Sequence, residues 1–242
     1  MIAFRALRIV SWNCNGALRK KLHALEPLGA DVLVVQECED PARATDDAYL
    51  KWAGNYLWAG STKNKGIGVF VREGITLERV ALDMSSLRLF LPCLVDGAPL
   101  LATWTQRANS PTFPYIGQLW KFLQWHKDFL RSPQALLVGD FNSNVRWDVW
   151  DRWWNHSDVV GELRDVGLCS AYHEHRSIQQ GNEPDPTFYM HRNIQKPYHI
   201  DYAFVGHAWK VDDVQVGQAS EWLVHSDHMP LIVDTGRVGR VG

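Results

Sequence analysis

The 242-residue chain has only four cysteines, Cys14, Cys38, Cys93 and Cys169, and no two of them form a CxxC pair. That spacing argues against both a structural zinc site and a disulfide framework, and reduced thiols in a cytoplasmic protein are the expectation. A run of about 18 apolar residues, the length needed to cross a bilayer, is also missing. The opening "MIAFRALRIV" is interrupted by Arg5 and Arg8 and leads directly into a strand-like segment, with no signal-peptide core. Charge of one sign is lacking as well. A formal net charge of -2 provides no global basic field, so a polyanionic substrate would have to be held by a local patch or by metal ions. There is no low-complexity run, no repeat with a period of about 20 to 50 residues, and no Pro/Gly/Ser-rich linker. Residues 1–242 are therefore expected to form a single domain.

What is present is a mixture of short aliphatic runs and helical periods. Hydrophobic residues make up 46% of the chain and charged residues 21%, the composition of a folded protein and not of a disordered one. "LRIVSWN", "ADVLVVQE", "GIGVFVRE", "PLLATWTQ", "LLVGD", "HIDYAFV" and "MPLIVD" read as strands. Leu18, Leu22, Leu25 and Leu28 recur at helical spacing, and residues 115–131 read as a helix with Leu119, Phe122, Leu123 and His126 near one face. Residues 147–167 also read as helical, with Trp147, Trp150 and Trp154 as a buried stripe and Trp153 off it, while residues 173–186 read as a polar loop. An α/β or α+β sandwich is expected.

Several of these runs stop on the same kind of residue. Asn13 follows "IVSW", Glu37 follows "LVVQ", Asp140 and Asn142 follow or flank "LLVG", Asp201 opens "DYAFV", and Asp227 with His228 precedes "MPLIV". One carboxylate in a turn is commonplace, but five segments delivering the same kind of residue suggest one site. Hard oxygen donors without clustered Cys or His suit Mg²⁺ or Mn²⁺, which neutralise phosphate oxygens. A lone His beside Asp suits charge stabilisation around a phosphoryl centre. The residues thus point to phosphoester hydrolysis.

The ordered set "SWNCNG", "VVQE", "GDFNSN", "HIDYAFV" and "SDHMPLIV" resembles the endonuclease/exonuclease/phosphatase superfamily, over residues 11 to 233. The resemblance implies a four-layered α/β sandwich, two mixed β-sheets packed face to face with helices outside. It also implies roles: Glu37 as metal ligand with help from Asn13 and Asp227, Asp140 aligning the attacking water, and Asn142 on the phosphate. His228 would stabilise developing charge, with Asp201 holding its imidazole. Two positions depart from the family pattern. Asn15 stands where many nuclease members carry Asp, and Thr103-Trp104 matches neither the Tyr-x-Pro-Asn nor the Thr-His pattern of its branches.

Substrate contacts are expected from Trp104, from Lys63 and Lys65 before a strand, and from Thr187, Phe188 and Arg192 in the loop before "HIDYAFV". Arg19, Lys20 and Lys21 read as a solvated helix face, and the HxH of His173 and His175 as solvated loop residues. The functional expectation is a metal-dependent phosphodiesterase acting on DNA or RNA. The alternatives are a hydrolase of a small or lipid head-group phosphoester, and a binding module that keeps the fold without catalysis.

Overall fold

The computed structural model describes residues 5–108 and 110–237. Met1 to Phe4 of the opening segment, and Asn109 of the "NSPTFP" loop, lie outside the described residues. In chain order the strands are β1 (Leu7–Asn13), β2 (Val32–Cys38), β3 (Asn55–Thr62), β4 (Lys65–Val71), β5 (Leu77–Arg79), β6 (Phe90–Val95) and β7 (Ala98–Trp104). They continue as β8 (Leu136–Asp140), β9 (Leu168–Ser170), β10 (Phe188–Tyr189), β11 (Pro197–Tyr198), β12 (Asp201–Gly206), β13 (Trp209–Val216) and β14 (Leu231–Arg237). The α-helices are α1 (Leu22–Leu25), α2 (Asp47–Ala53), α3 (Ile116–His126), α4 (His156–Asp165), α5 (Ala171–Arg176) and α6 (Ala219–Trp222).

Two six-stranded mixed sheets form, ordered β13-β14-β1-β2-β4-β3 and β5-β6-β7-β8-β12-β9, with β10 and β11 as a separate hairpin. Alternation along each strand sorts side chains into layers. Leu7, Ile9, Val32, Val34, Leu100, Leu136, Val138, Ala203, Val205, Leu231 and Val233 fill the space between the sheets. On the far side of the first sheet, Val10, Trp12, Leu33, Val35 and Phe70 meet Leu25, Tyr49, Ala53 and Trp222 from α1, α2 and α6. On the far side of the second, Leu101, Leu137, Tyr202 and Phe204 meet Leu119, Phe122 and Leu123 of α3 and Val159 and Leu163 of α4. This is the four-layered sandwich expected from the motifs.

Local differences from the sequence reading have physical causes. The leucines at 18, 22, 25 and 28 do not share one helix. They fall on a 3-10 turn, the short α1 and a second 3-10 turn that contains Pro27 and ends at left-handed Gly29. Of the expected helix at 147–167 only His156–Asp165 is α-helical: Trp147 closes a 3-10 turn, and Asn155 and Asp158 form a capping box that starts α4 at His156. Trp154 is buried as the stripe required, but Trp147 and Trp150 are exposed. The supposed loop from 173 begins inside α5. Strands β3, β5, β6, β9, β10, β11 and β13 escaped the reading: β6 holds Pro92, β3 holds Gly60, β9, β10 and β11 are only two or three residues long, and β13 is an edge strand bulged between Val211 and Asp213.

One glycine is decisive for the position of the site. Gly139 has φ +150, and a Cβ there would sit 1.8 Å from the carbonyl oxygen of Thr103 on the paired strand β7. Gly139→Ala is expected to cost roughly 2–4 kcal/mol by overpacking. Gly161→Ala in α4, where nothing lies within 4 Å, should be neutral or stabilising by about 0.5–1 kcal/mol. Urea unfolding of both variants checks the contrast, and equal stabilities would contradict it.

Candidate active site

The alternation that builds the inter-sheet core also delivers the polar residues. Asn13 continues the inward row of Leu7 and Ile9 on β1, Asp140 continues Leu136 and Val138 on β8, and Asp201 begins the row of Ala203 and Val205 on β12. Each strand therefore ends its apolar row with a polar group at the same mouth of the gap. Asp140 pairs in register with Asp201 on the antiparallel neighbour. Glu37 would alternate to the helix-covered face of its sheet. A bulge between Gln36 and Cys38, with Glu37 at φ +61, brings it instead to the amide of Asn13.

At the centre lies His228, buried together with Asp140 and Asp201. Its Nδ1 is 2.9 Å from Asp201 Oδ2, and its Nε2 is 3.9 Å from Asp140 Oδ2. Burial alone would lower the His228 pKa, but the charges of Asp201 and Asp140 and the bond to Asp201 raise it to about 9. Burial, then the nearby Asp201, push Asp140 up to about 7 against the pull of His228, Asn13 and Asn142. The imidazole is locked from behind. Trp12 Nε1 donates to the His228 carbonyl at 3.0 Å, and Ser226 Oγ accepts from the His228 N–H and donates to the Asn13 carbonyl. The Phe188 ring lies 4.6 Å from the imidazole centroid.

Asp140 is braced on every side. Asn13 Nδ2 and Asn142 Nδ2 each donate to its Oδ2 at 3.0 Å, and the Asn142 N–H donates to its Oδ1 at 2.8 Å. Asn142 holds the left-handed conformation, φ +46, and its amide also donates to the Thr105 carbonyl, so both amide hydrogens are engaged. On the outer side, Glu37 accepts from Asn13 Nδ2 at 3.3 Å and pairs with Lys65 Nζ at 2.7 Å. Asp227 Oδ1 accepts from Asn15 Nδ2 at 2.8 Å. Asn13, Glu37, Asp140, Asn142, Asp201, Asp227 and His228 thus form one connected neighbourhood.

The substrate-contact candidates divide. Lys65 stands beside Glu37 and over the Trp104 ring, 5.7 Å from its centroid, and Phe188 faces His228. Trp104 itself is buried and is not a surface contact. Thr187 is fully buried, and its hydroxyl accepts from the N–H groups of Ile200 and Asp201 at 3.0 Å, fixing the start of β12 instead of meeting solvent. Lys63 is exposed at the tip of the β3–β4 hairpin, and Arg192 donates to the carbonyls of Val224 and His225. The solvated reading holds for the exposed Arg19, Lys20 and His175 and fails for Lys21 and His173. Arg19 pairs with Glu39 while Lys21 donates to the carbonyls of Cys14 and Gly16. His173 is buried between Ser170 and Glu183, at 2.7 and 3.0 Å.

That last pair belongs to a brace no motif announced. Burial alone would raise the Glu183 pKa, but His173 and the Gly181 N–H bring it down to about 2. Asn144 Nδ2 reaches Glu183, the His199 carbonyl and the Tyr202 hydroxyl, and that hydroxyl donates to the Ser143 carbonyl. The ends of β8 and β12 are held together this way. A cavity of about 610 Å³ between α4 and α5 is lined by residues that include Arg164, Cys169 and Gln180 and reaches neither Asp140 nor His228. No helix among the described residues is long and apolar enough to cross a membrane.

This fold and this gathering of Asn, Glu, Asp and His at one mouth of a two-sheet sandwich define a known class. A model of the Endonuclease/Exonuclease/phosphatase family matches residues 10–228, and the chain belongs to that family. No curated protein matches it significantly. Solved structures with the same fold include the 3'-5' exonuclease NExo from Neisseria meningitidis, 21% identical with a TM-score of 0.66, over 95% of this chain and 100% of that one. An AP endonuclease from Archaeoglobus fulgidus is 18% identical, TM-score 0.62, over 94% and 98%. Truncated Caenorhabditis elegans TDP2 is 16% identical, TM-score 0.64, over 96% and 98%.

The two raised pKa values have one sign. The folded state keeps protons on Asp140 and His228 that the unfolded chain, with values of 3.8 and 6.5, releases. Stabilisation from His228 is complete below about pH 6.5 and is lost as pH rises through about 9. In EDTA the melting temperature is expected to fall by several degrees across that window. His228→Gln should flatten the fall, and an unchanged slope would contradict the buried imidazolium.

Proposed function

We propose that the chain is a Mg²⁺- or Mn²⁺-dependent phosphodiesterase that hydrolyses nucleic acid by in-line attack of water. The observation that carries this reading is the buried imidazole between Asp201 and Asp140, set at the mouth of a family fold. Asp140, its carboxyl raised to about 7, accepts the proton of the attacking water. His228 carries positive charge and stabilises the charge that develops on the phosphoryl oxygens. Asp201 keeps that imidazole protonated at Nδ1 and correctly turned. Asn13 and Asn142 hold Asp140 in place.

The residues fit a hard divalent ion. Glu37 already draws a cation, since Lys65 Nζ sits 2.7 Å from its Oε2, and that lysine side chain is 54% exposed and displaceable. Glu37 would hold the ion, with Asp227 and Asn15 at its edge. Asp140, Asp201 and His228 also offer ligand atoms within 4.8 Å of one another. We assign that triad to proton and charge chemistry, because a protonated imidazole is no metal ligand. When bound, the ion would neutralise phosphate oxygens and polarise the phosphoryl group. Nucleic acid is supported by the DNA hairpin bound in a NExo structure, 20% identical, TM-score 0.66, which covers 95% of this chain and 99% of that one.

The test is hydrolysis by purified protein with Mg²⁺, Mn²⁺ or EDTA. The panel comprises single- and double-stranded DNA, abasic DNA, RNA, bis-p-nitrophenyl phosphate, p-nitrophenyl phosphate, an inositol polyphosphate and sphingomyelin. Metal-dependent cleavage of a nucleic acid is expected, reduced on the order of 100-fold or more in His228→Ala. Activity confined to a small or lipid phosphoester would overturn the substrate and keep the chemistry. Glu37→Gln should raise the Mg²⁺ needed for half-maximal rate by about 10-fold or more. Above about pH 9 the rate should fall as His228 loses its proton, and Asp201→Asn should move that limb to lower pH.

A further inference from the structure

The segment between Asn144 and α4 exposes large apolar side chains that the catalytic chemistry does not use. Trp150 is 95% exposed and Trp153 64%, and Trp147 and Val149 are also exposed. Exposure on this scale in seven residues calls for an occupant. The segment is tied down: Asn155 Oδ1 accepts from the Val149 N–H and from Arg152 Nε, and Asn155 Nδ2 donates to the carbonyls of Val149 and Arg152. The Arg152 guanidinium lies over the Trp154 ring at 4.3 Å and also donates to the Trp147 carbonyl. Asp148 is engaged inward, accepting from the first N–H groups of α4. The exposed indoles therefore stand on a preformed support.

A line of rings connects this support to the catalytic imidazole. His228 meets Phe188 at 4.6 Å, Phe188 meets Tyr198 at 6.2 Å, and Tyr198 meets Trp147 at 5.3 Å. Trp147 and Tyr198, with Arg146 and the buried His199, also line a cleft of about 190 Å³. That is below the roughly 300 Å³ of a drug-sized site and suits one planar heterocycle. Arg146 and Arg152 stand in the same segment with Asp148 and Asp151 between them, so its formal charge is balanced and ring stacking, not charge, carries the contact.

We propose that the Trp147–Trp153 segment is a stacking platform for unpaired bases, leading a single-stranded or splayed nucleic acid from the Trp147–Tyr198 cleft to His228. This rests on the nuclease reading above and narrows its substrate. Indole faces stack on any base, but only on one whose own faces are free, which a duplex interior does not offer. Continuity with the catalytic pocket distinguishes this occupant from a lipid surface or a second copy of the chain, neither of which needs rings leading to the imidazole.

The test compares the wild-type chain with Trp150→Ala/Trp153→Ala and with Trp150→Phe/Trp153→Phe. For each, kcat/KM is measured on a short single-stranded oligonucleotide and on bis-p-nitrophenyl phosphate, which carries no further nucleotides to extend along the segment. Binding of the same oligonucleotide in EDTA is followed by quenching of tryptophan fluorescence. The alanine pair should lower the preference for the oligonucleotide over the small diester by about 10-fold or more, mainly through KM, and weaken binding alike. The phenylalanine pair should restore most of both. An unchanged preference and unchanged binding would overturn the platform while leaving the nuclease reading intact. Wild-type protein that hydrolyses the small diester but neither binds nor cleaves nucleic acid would overturn both. Loss, in the alanine pair, of binding to phosphatidylserine vesicles, or of a concentration-dependent dimer, with oligonucleotide binding unchanged, would assign the surface to lipid or to a second copy instead.

Discussion

A charged imidazole buried between two carboxylates is stable only if both stay close enough to offset the hydration it has lost. His228, with Asp201 at 2.9 Å and Asp140 at 3.9 Å, meets that condition at the junction of the two sheets. The three groups come from different places: Asp140 and Asp201 from neighbouring strands of one sheet, His228 from just before the last strand of the other. Any slip of one sheet against the other would break the contact. The aliphatic rows between the sheets and the hydrogen bonds from Trp12 and Ser226 fix the junction, and a site held on strand ends is more rigid than one held on loops alone.

The period of two in a β-strand places most of the machinery, and local backbone strain places the rest. Asn13, Asp140 and Asp201 need no special conformation, because they terminate inward-facing rows. Glu37 and Asn142 both take left-handed φ values that non-glycine residues adopt at a cost. At Glu37 the strain turns the side chain from where alternation would put it toward the Asp140 neighbourhood, and at Asn142, just past the end of β8, it accompanies the N–H and amide bonds back onto Asp140. Gly139 adds the close approach that lets β8 end beside Thr103 of β7. The sandwich supplies rigidity, and these few positions aim it.

Much of this was legible in the primary structure. A polar Asn, Asp, Glu or His where an aliphatic run begins or ends marks a strand end with a polar task, and the five segments that carry one converge. What could not be read was contact through space. Nothing local to Lys65 tells that it pairs with Glu37, or local to Thr187 that its hydroxyl is sealed beneath the start of β12. His173 lay in a polar stretch, and only the folded chain sets it against Glu183. The tryptophans misled for a clear reason. Their spacing fits a helix face, but the capping box at Asn155 and Asp158 outranks periodicity and starts the helix only after Trp154.

The departure at Asn15 shapes the electrostatics of the outer half of the site. A carboxylate there would face Asp227; the amide instead donates to it, 2.8 Å away. With Lys65 on Glu37, both outer carboxylates carry a partner that blunts their charge. A less negative rim repels an incoming phosphodiester less, which matters in a chain whose formal net charge of -2 gives no long-range attraction. Substrate must then be captured by short-range contacts. The exposed rings beside the site are of that kind, since stacking, unlike Coulomb steering, does not depend on the sign of the protein's field. Under the proposed nucleic-acid reading, weak charge and an exposed aromatic surface would be two sides of one way of holding a polyanion.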